Sequence, residues 1–272
     1  MWMRTTACVA ALAAAGVGPA LAVDAPGGTD WSIAAGVLRL DSAERDAQGR
    51  RLNRDTGTLP AIGLGLRHAR GNWRFGTEFV FAAGDTRYDG RTQGGAPLAA
   101  SGDADWRMLR VDVERRLESW PRLAWRVGVD WTEWRRHIDA GDGVDVRYRT
   151  LGALAGARWR LAEAPGWRLD LRADALLPLS SKADVHYRGL YDPARLAPGG
   201  RPGARLQLSW AGRPAFLPDG PELALEPFVM LRRAGRSPDA TLTRDGRPLG
   251  TLHEPASRRV EAGLMLRAGW RF

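Results

Sequence analysis

Apolar and polar residues alternate along this chain with a period of two. From Val260 to Phe272 every even-numbered residue is apolar, while the odd set is Glu261, Gly263, Met265, Arg267, Gly269 and Arg271. Successive side chains of a strand point to opposite faces, so such a segment is a strand with one greasy and one polar or small face. The same pattern runs from Trp167 to Leu177, where Arg168, Asp170, Arg172 and Asp174 oppose an apolar column. It runs again from Trp73 to Ala83, with Trp73, Phe75, Phe79 and Phe81 opposite Arg74, Gly76 and Glu78. Further strands are predicted over 123–131, 151–161 and 223–231, with weaker ones over 31–40, 62–68, 109–117 and 206–210. Ten strands result, and no helical periodicity competes with them.

Alternation alone also fits a soluble sandwich, so the connections decide. Residues 69–72, 118–122, 162–166 and 212–221 are short or turn-like, whereas 41–58, 84–102, 135–147, 180–203 and 233–255 are long. Short turns at one end and long loops at the other predict an all-β fold, a ten-stranded antiparallel transmembrane β-barrel with short periplasmic turns and long extracellular loops. Tryptophan placement agrees. Trp31, Trp73, Trp120, Trp159, Trp167, Trp210 and Trp270 fall at the short-turn end, and Trp106, Trp131 and Trp134 fall toward the long loops with Tyr88 and Tyr148. Two aromatic girdles are what the two interfaces of a bilayer select.

The chain has 272 residues, 33 Gly, 17 Pro and a net charge of +9. No apolar run of the length a membrane helix needs follows the N-terminus. Residues 1–22 carry Arg4, no acid, an apolar stretch and a closing Ala20-Leu21-Ala22. This is the layout of a secretory signal peptide, leaving 23–272 as a single barrel domain. The one cysteine, Cys8, lies in that leader, so disulfides take no part in the expected fold. The alternating final strand that ends in Phe272 resembles the C-terminal signal of bacterial outer-membrane barrels. The resemblance implies the outer membrane of a Gram-negative bacterium and a contact between the Phe272 end and the barrel-assembly machinery.

Ten strands enclose a narrow interior. The inward set mixes Arg74, Arg110, Arg126, Arg158, Arg168, Arg172, Arg205 and Arg267 with Glu78, Asp112, Glu114, Asp130, Asp170, Asp174, Glu222, Glu226 and Glu261. Buried charges of both signs must pair, which predicts a plugged lumen and sets a narrow small-solute channel behind a non-conducting scaffold. Lys182 is the only lysine, so the positive charge is nearly all arginine, a bidentate binder of phosphate. The loop residues Arg45, Arg50, Arg51, Arg54, Arg188, Arg195 and Arg201 therefore point to outer-membrane lipid and lipopolysaccharide, or to another extracellular ligand. No nucleic-acid module is recognisable, so nucleic acid is not an expected partner.

Candidate chemistry is sparse. Asp184-Val185-His186 places a carboxylate and an imidazole on one face of an extended segment, a pair able to activate water, and Asp103-Ala104-Asp105 adds two carboxylates on another external loop. Asp103-Ala104-Asp105-Trp106 and Asp184-Val185-His186-Tyr187 resemble the paired loop motifs of the omptins, ten-stranded outer-membrane proteases. The resemblance implies a proteolytic site in which Asp184 and His186 activate water and Asp103 and Asp105 hold it from the opposite side. The segment between the two motifs is shorter than in that family. Asp139, Asp142 and Asp145 offer oxygen ligands for calcium but lack the full twelve-residue loop, and they read better as a hairpin tip. The sequence-level expectation is a monomeric, cofactor-free and metal-free barrel with a structural or surface-interaction role and no enzymatic activity. The alternatives are an omptin-like endopeptidase using Asp103, Asp105, Asp184 and His186, and a narrow channel.

Overall fold

The computed structural model describes residues 27–91, 96–140, 143–214, 216 and 219–272. The leader expected over residues 1–22 and the loop carboxylate Asp142 lie outside the described residues. Thirteen strands follow one another: β1 (Gly28–Arg45), β2 (Arg51–Arg70), β3 (Trp73–Arg91), β4 (Pro97–Arg116), β5 (Leu123–Ile138), β6 (Val144–Ala164), β7 (Trp167–Tyr187), β8 (Ala194–Leu196), β9 (Gly200–Gly212), β10 (Glu222–Ala234), β11 (Ala240–Arg244), β12 (Arg247–Leu252) and β13 (Ala256–Arg271). The main sheet runs β6-β5-β4-β3-β2-β1-β13-β10-β9-β7, and an additional β6–β7 pairing closes it. These ten antiparallel strands are the barrel. Strand β8 adds a short edge to β7, and β11 with β12 form a separate hairpin.

Each barrel strand contains the alternating segment seen in the sequence and then extends past it at the long-loop end. Residues 41–45, 51–58, 84–91 and 97–102, expected as loop, are paired strand. Alternation stops there because the outer face changes from apolar to charged while the backbone ladder continues. Short connections use glycine where the backbone demands it. Gly71 has φ +58° in the tight β2–β3 turn, and Asp245 and Gly246, at φ 50° and 73°, form the primed turn of the β11–β12 hairpin.

The outward faces form an apolar belt including Ile33, Val37, Ile62, Leu64, Phe75, Phe79, Leu109, Val111, Val127, Val129, Leu206, Leu225, Leu264 and Leu266, all exposed. At the short-turn end the belt closes with Trp31 stacked on Trp270 at 4.4 Å and Trp73 edge-on to Trp125 at 5.7 Å. Exposed Trp159, Trp167 and Trp210 complete this girdle. The opposite girdle differs from expectation. Trp106 and Trp134 are 1% and 3% exposed and lie inside the barrel. Tyr148 stacks on Trp134 in the lumen, and Tyr88 is on the inward face of β3, which leaves Trp131 facing outward. The reason is parity. Trp106 shares its face of β4 with Arg110 and Glu114, and Trp134 shares its face of β5 with Arg126 and Asp130.

Inward side chains pair both between neighbouring strands and across the lumen between non-adjacent ones. Arg126 Nη1 donates to Asp174 Oδ2 at 2.9 Å and Arg126 Nη2 meets Asp112 at 2.8 Å. Arg158 Nε donates to Glu114 at 2.7 Å, Arg267 reaches Glu226 at 2.9 Å and Glu78 at 2.5 Å, and Arg232 pairs with Asp130. The interior is not wholly ionic. Leu38, Leu40, Leu59, Met108, Leu154, Leu176, Met230 and Met265 pack around Trp106, whose indole N–H donates to Glu261 at 3.1 Å. That apolar cluster was hidden in the sequence because its members are scattered one or two per strand.

Candidate functional site

The four residues of the two Asp motifs stand on the outer wall, above the belt. In β4 the inward column is Ala104, Trp106, Met108 and Arg110, so Asp103 and Asp105 point outward. In β7 the inward column is Asp170, Arg172, Asp174 and Leu176, and even numbering alone would carry Asp184 and His186 inward too. A bulge prevents this. The β6–β7 register shifts so that Gly152 faces Pro178 and Leu151 faces Ser180, leaving Leu179 unopposed. Beyond it Ala183 and Val185 are buried, Asp184 is half-buried and His186 is exposed on the outer face. Proline lacks a ladder donor, and one extra residue reverses every side chain beyond it.

The register then fixes two outward rows across β4, β5, β6 and β7. One is Asp103, His137, Asp145 and His186, and the next, toward the belt, is Asp105, Arg135, Arg147 and Asp184. Asp103 and His186 occupy the ends of their row, about 14 Å apart at three spacings of about 4.8 Å. Between them, His137 Nδ1 lies 2.7 Å from Asp145 and Nε2 lies 2.8 Å from Asp139. Arg188 Nε also reaches Asp145 at 2.9 Å, and Asp145 is held below the usual carboxylate range: burial opposes this, but Arg188 and His137 outweigh it. Asp184 is lowered in the same way, against burial, by Arg195 at 2.9 Å and by Arg149. Its oxygens are thus engaged by guanidinium groups, and no hydrogen bond joins it to His186 among the described residues. Asp139 and Asp145 face the His137 ring instead of a common centre, and among the described residues no group of three His, Cys, Asp or Glu side chains could hold a metal.

Closer to the belt a further row, Arg107, Glu133, Arg149 and Lys182, sits beside the lipid-facing Leu109, Trp131 and Leu151. Glu133 is a single buried carboxylate surrounded by Arg135 at 2.7 Å, Arg107 at 3.6 Å and Arg147 at 4.0 Å. Arg107 also meets Asp105 at 3.3 Å, so three guanidinium groups share two carboxylates and the patch keeps a positive excess. The loop arginines singled out in the sequence are more self-contained. Arg50 pairs with Asp46, Arg54 with Asp41, Arg188 with Asp145 and Arg195 with Asp184. The strand arginines were missed because their segments read as loop; continuing the outward parity of Leu109 to Arg107, and of Trp131 to Arg135, is the signal that finds them.

A second constellation fills the mouth of the barrel, and sequence reading did not identify it. Arg136 Nη2 donates to Glu44 Oε1 at 2.9 Å and to Tyr148 Oη at 3.0 Å, and Tyr148 Oη donates to Glu254 Oε1 at 2.7 Å. Arg136 also lies over the stacked Trp134 and Tyr148 rings, at 5.3 and 5.4 Å, with Arg259 over Trp134 at 5.0 Å. Glu254 comes from the last loop, where its backbone N–H donates to Ser237 Oγ and its carbonyl accepts from Ser237 N–H, both at 2.9 Å. Burial first, then the neighbouring Glu44, raises the Glu254 pKa to about 7. Glu254 is thereby a latch that ties the last loop into the mouth. The β11–β12 hairpin in that loop is fixed in turn by Asp192, which accepts from Thr243 at 2.7 Å and from Gly246 N–H at 3.0 Å.

With this geometry in place, solved structures give a direct comparison. The outer-membrane protease OmpT from Escherichia coli superimposes with a TM-score of 0.62 at 9% identity, over 91% of this chain and 98% of that one. The fold is that of an outer-membrane β-barrel. The translocator domain of the autotransporter NalP from Neisseria meningitidis aligns over 89% of this chain and 88% of its own, at 12% identity and a TM-score of 0.41. No family profile matches the chain, and no curated protein does. At this identity the resemblance to the omptin barrel is one of architecture.

Proposed function

We propose that the protein is a non-enzymatic barrel of a Gram-negative outer membrane, a monomeric surface scaffold with a plugged lumen that holds the phosphates of lipopolysaccharide on its outer wall. The observation that carries this is the cluster of Arg107, Arg135 and Arg147 around the buried Glu133, three cations against the two carboxylates Glu133 and Asp105, directly above the lipid-facing row of Leu109, Trp131 and Leu151. Guanidinium groups at that height meet headgroup phosphates bidentately, and each cation near an anionic surface contributes about 1 kcal/mol. Water activation has less support, because Asp103 and Asp105 are separated from Asp184 and His186 by β5 and β6 and Asp184 is engaged by two arginines. Conduction has less support, because bonds such as Arg232 to Asp130 and Arg267 to Glu78 join distant strands across the lumen. In this reading the Phe272 end engages the assembly machinery.

The test folds the barrel into vesicles with and without lipopolysaccharide and measures the heat needed to abolish its compact electrophoretic mobility. Lipopolysaccharide is expected to raise that temperature for the wild type and to raise it much less for the variant carrying Arg107→Gln, Arg135→Gln and Arg147→Gln. The shift, not absolute stability, is the readout, because Glu133 loses its partners in the variant. Equal shifts in both proteins would overturn the proposal.

A further inference from the structure

The mouth contains a cavity of about 60 Å³, bounded by Trp134, Tyr148, Lys182, Arg201, Arg232 and Glu254 among other side chains. Its two carboxylates already have donors. Glu44 takes Arg136 on one oxygen and Asn53 on the other, and Glu254 takes the Tyr148 hydroxyl. Not all of its donors have acceptors. Trp134 is 3% exposed, yet its indole N–H has no hydrogen-bond partner among the described residues, and neither does Arg232 Nε. Arg201, from β9, forms no ion pair among the described residues. A buried N–H without a partner is costly, and cations facing a small polar cavity favour a charged acceptor. The volume suits a group of few atoms.

We infer that this cavity is a binding site for a small oxyanion, a phosphate or carboxylate group, which accepts from the Trp134 indole and Arg232 and is neutralised by Arg201. The lining brings donors from β5, β9 and β10 to one point, a convergence that a passive plug does not require. The site is inside the mouth and independent of the lipid-facing patch on the outer wall. A free anion and the same group at the end of a larger surface ligand present the same chemistry to it.

The test is calorimetric titration of the folded, full-length barrel in uncharged detergent with inorganic phosphate and, separately, with acetate. Saturable binding of one equivalent of either anion is expected. Trp134→Phe preserves the ring stacking and deletes the N–H; it should weaken binding about tenfold, as should the exposed Arg201→Gln. Arg135→Gln on the outer wall should leave affinity unchanged. A methyl phosphate arm distinguishes a free ion from a ligand-borne group: binding equal to that of inorganic phosphate indicates a monoester terminus, and weaker binding indicates the free ion. Absence of saturable binding by both anions, or equal affinity in the wild type and both mouth variants, would overturn the inference. If Trp134→Phe fails to fold, Arg201→Gln alone decides it.

Discussion

Asp103 and His186 stand at opposite ends of one outward row, with His137 and Asp145 between them and all four side chains on the outer wall. A water molecule cannot bridge the two ends of such a row, since a hydrogen bond on each side of it spans under about 6 Å. The middle of the row is instead an ionic clasp, Asp139 to His137 to Asp145 to Arg188, which joins the β5–β6 connection to β7.

The bulge at Leu179 makes a sharp accessibility prediction. With cysteines placed singly at 183, 184, 185 and 186, a bulky water-soluble maleimide should label Asp184→Cys and His186→Cys quickly and Ala183→Cys and Val185→Cys slowly. Below the bulge the phase reverses, with even-numbered Arg172 and Asp174 facing the lumen. Deleting Leu179 should restore a single phase and shield positions 184 and 186. Uniform labelling on both sides of the bulge would contradict the register.

The lumen pairing predicts a large stability cost at Arg126. Its guanidinium bridges Asp112 and Asp174 and is 2% exposed. Arg126→Met leaves two acids without their cation in a confined space and should destabilise the barrel by about 3–5 kcal/mol. Urea unfolding in vesicles, followed by tryptophan emission, checks this. A change under about 1 kcal/mol, the value of an ordinary exposed pair, would mean that water solvates the site.

The Glu254 latch gives a pH dependence with a definite sign. Its folded pKa of about 7 is above the ordinary 4.5, so the folded mouth binds the proton more tightly than the free loop does. The stabilisation is fully present below about pH 4.5 and is lost as pH rises through 7. A nitroxide on Leu249→Cys, in the loop hairpin, should be immobilised at pH 5 and mobile at pH 8. Glu254→Gln should hold it immobile at both values, because the amide mimics the neutral acid. A spectrum independent of pH in the wild type would remove the latch from the account.

Much of the architecture was legible in the chain because lipid on one side and a packed lumen on the other impose a strict period of two. Each alternating segment is a barrel strand, down to the final Val260 to Phe272 run. The outer ends were not legible, since charged residues on the outer wall erase the contrast while pairing continues through Glu44, Asp55 and Tyr88. Trp106 and Trp134 could have been placed inward by counting from Arg110 and Asp130, but their aromatic character suggested an interface. The orientation of Asp184 and His186 could not, because it depends on one unopposed residue beside Pro178. The mouth cluster joins β1, β5, β6 and the last loop, and only three-dimensional register brings Glu44, Arg136, Tyr148 and Glu254 together.

The central claim, a surface barrel that is not an enzyme, is tested most directly by incubating the folded wild type with a panel of fluorogenic peptides, dibasic ones included, with and without lipopolysaccharide, beside His186→Ala. The account predicts no cleavage above the vesicle blank in any condition. Cleavage by the wild type that is lost in His186→Ala would contradict it and place a hydrolytic site on the outer wall.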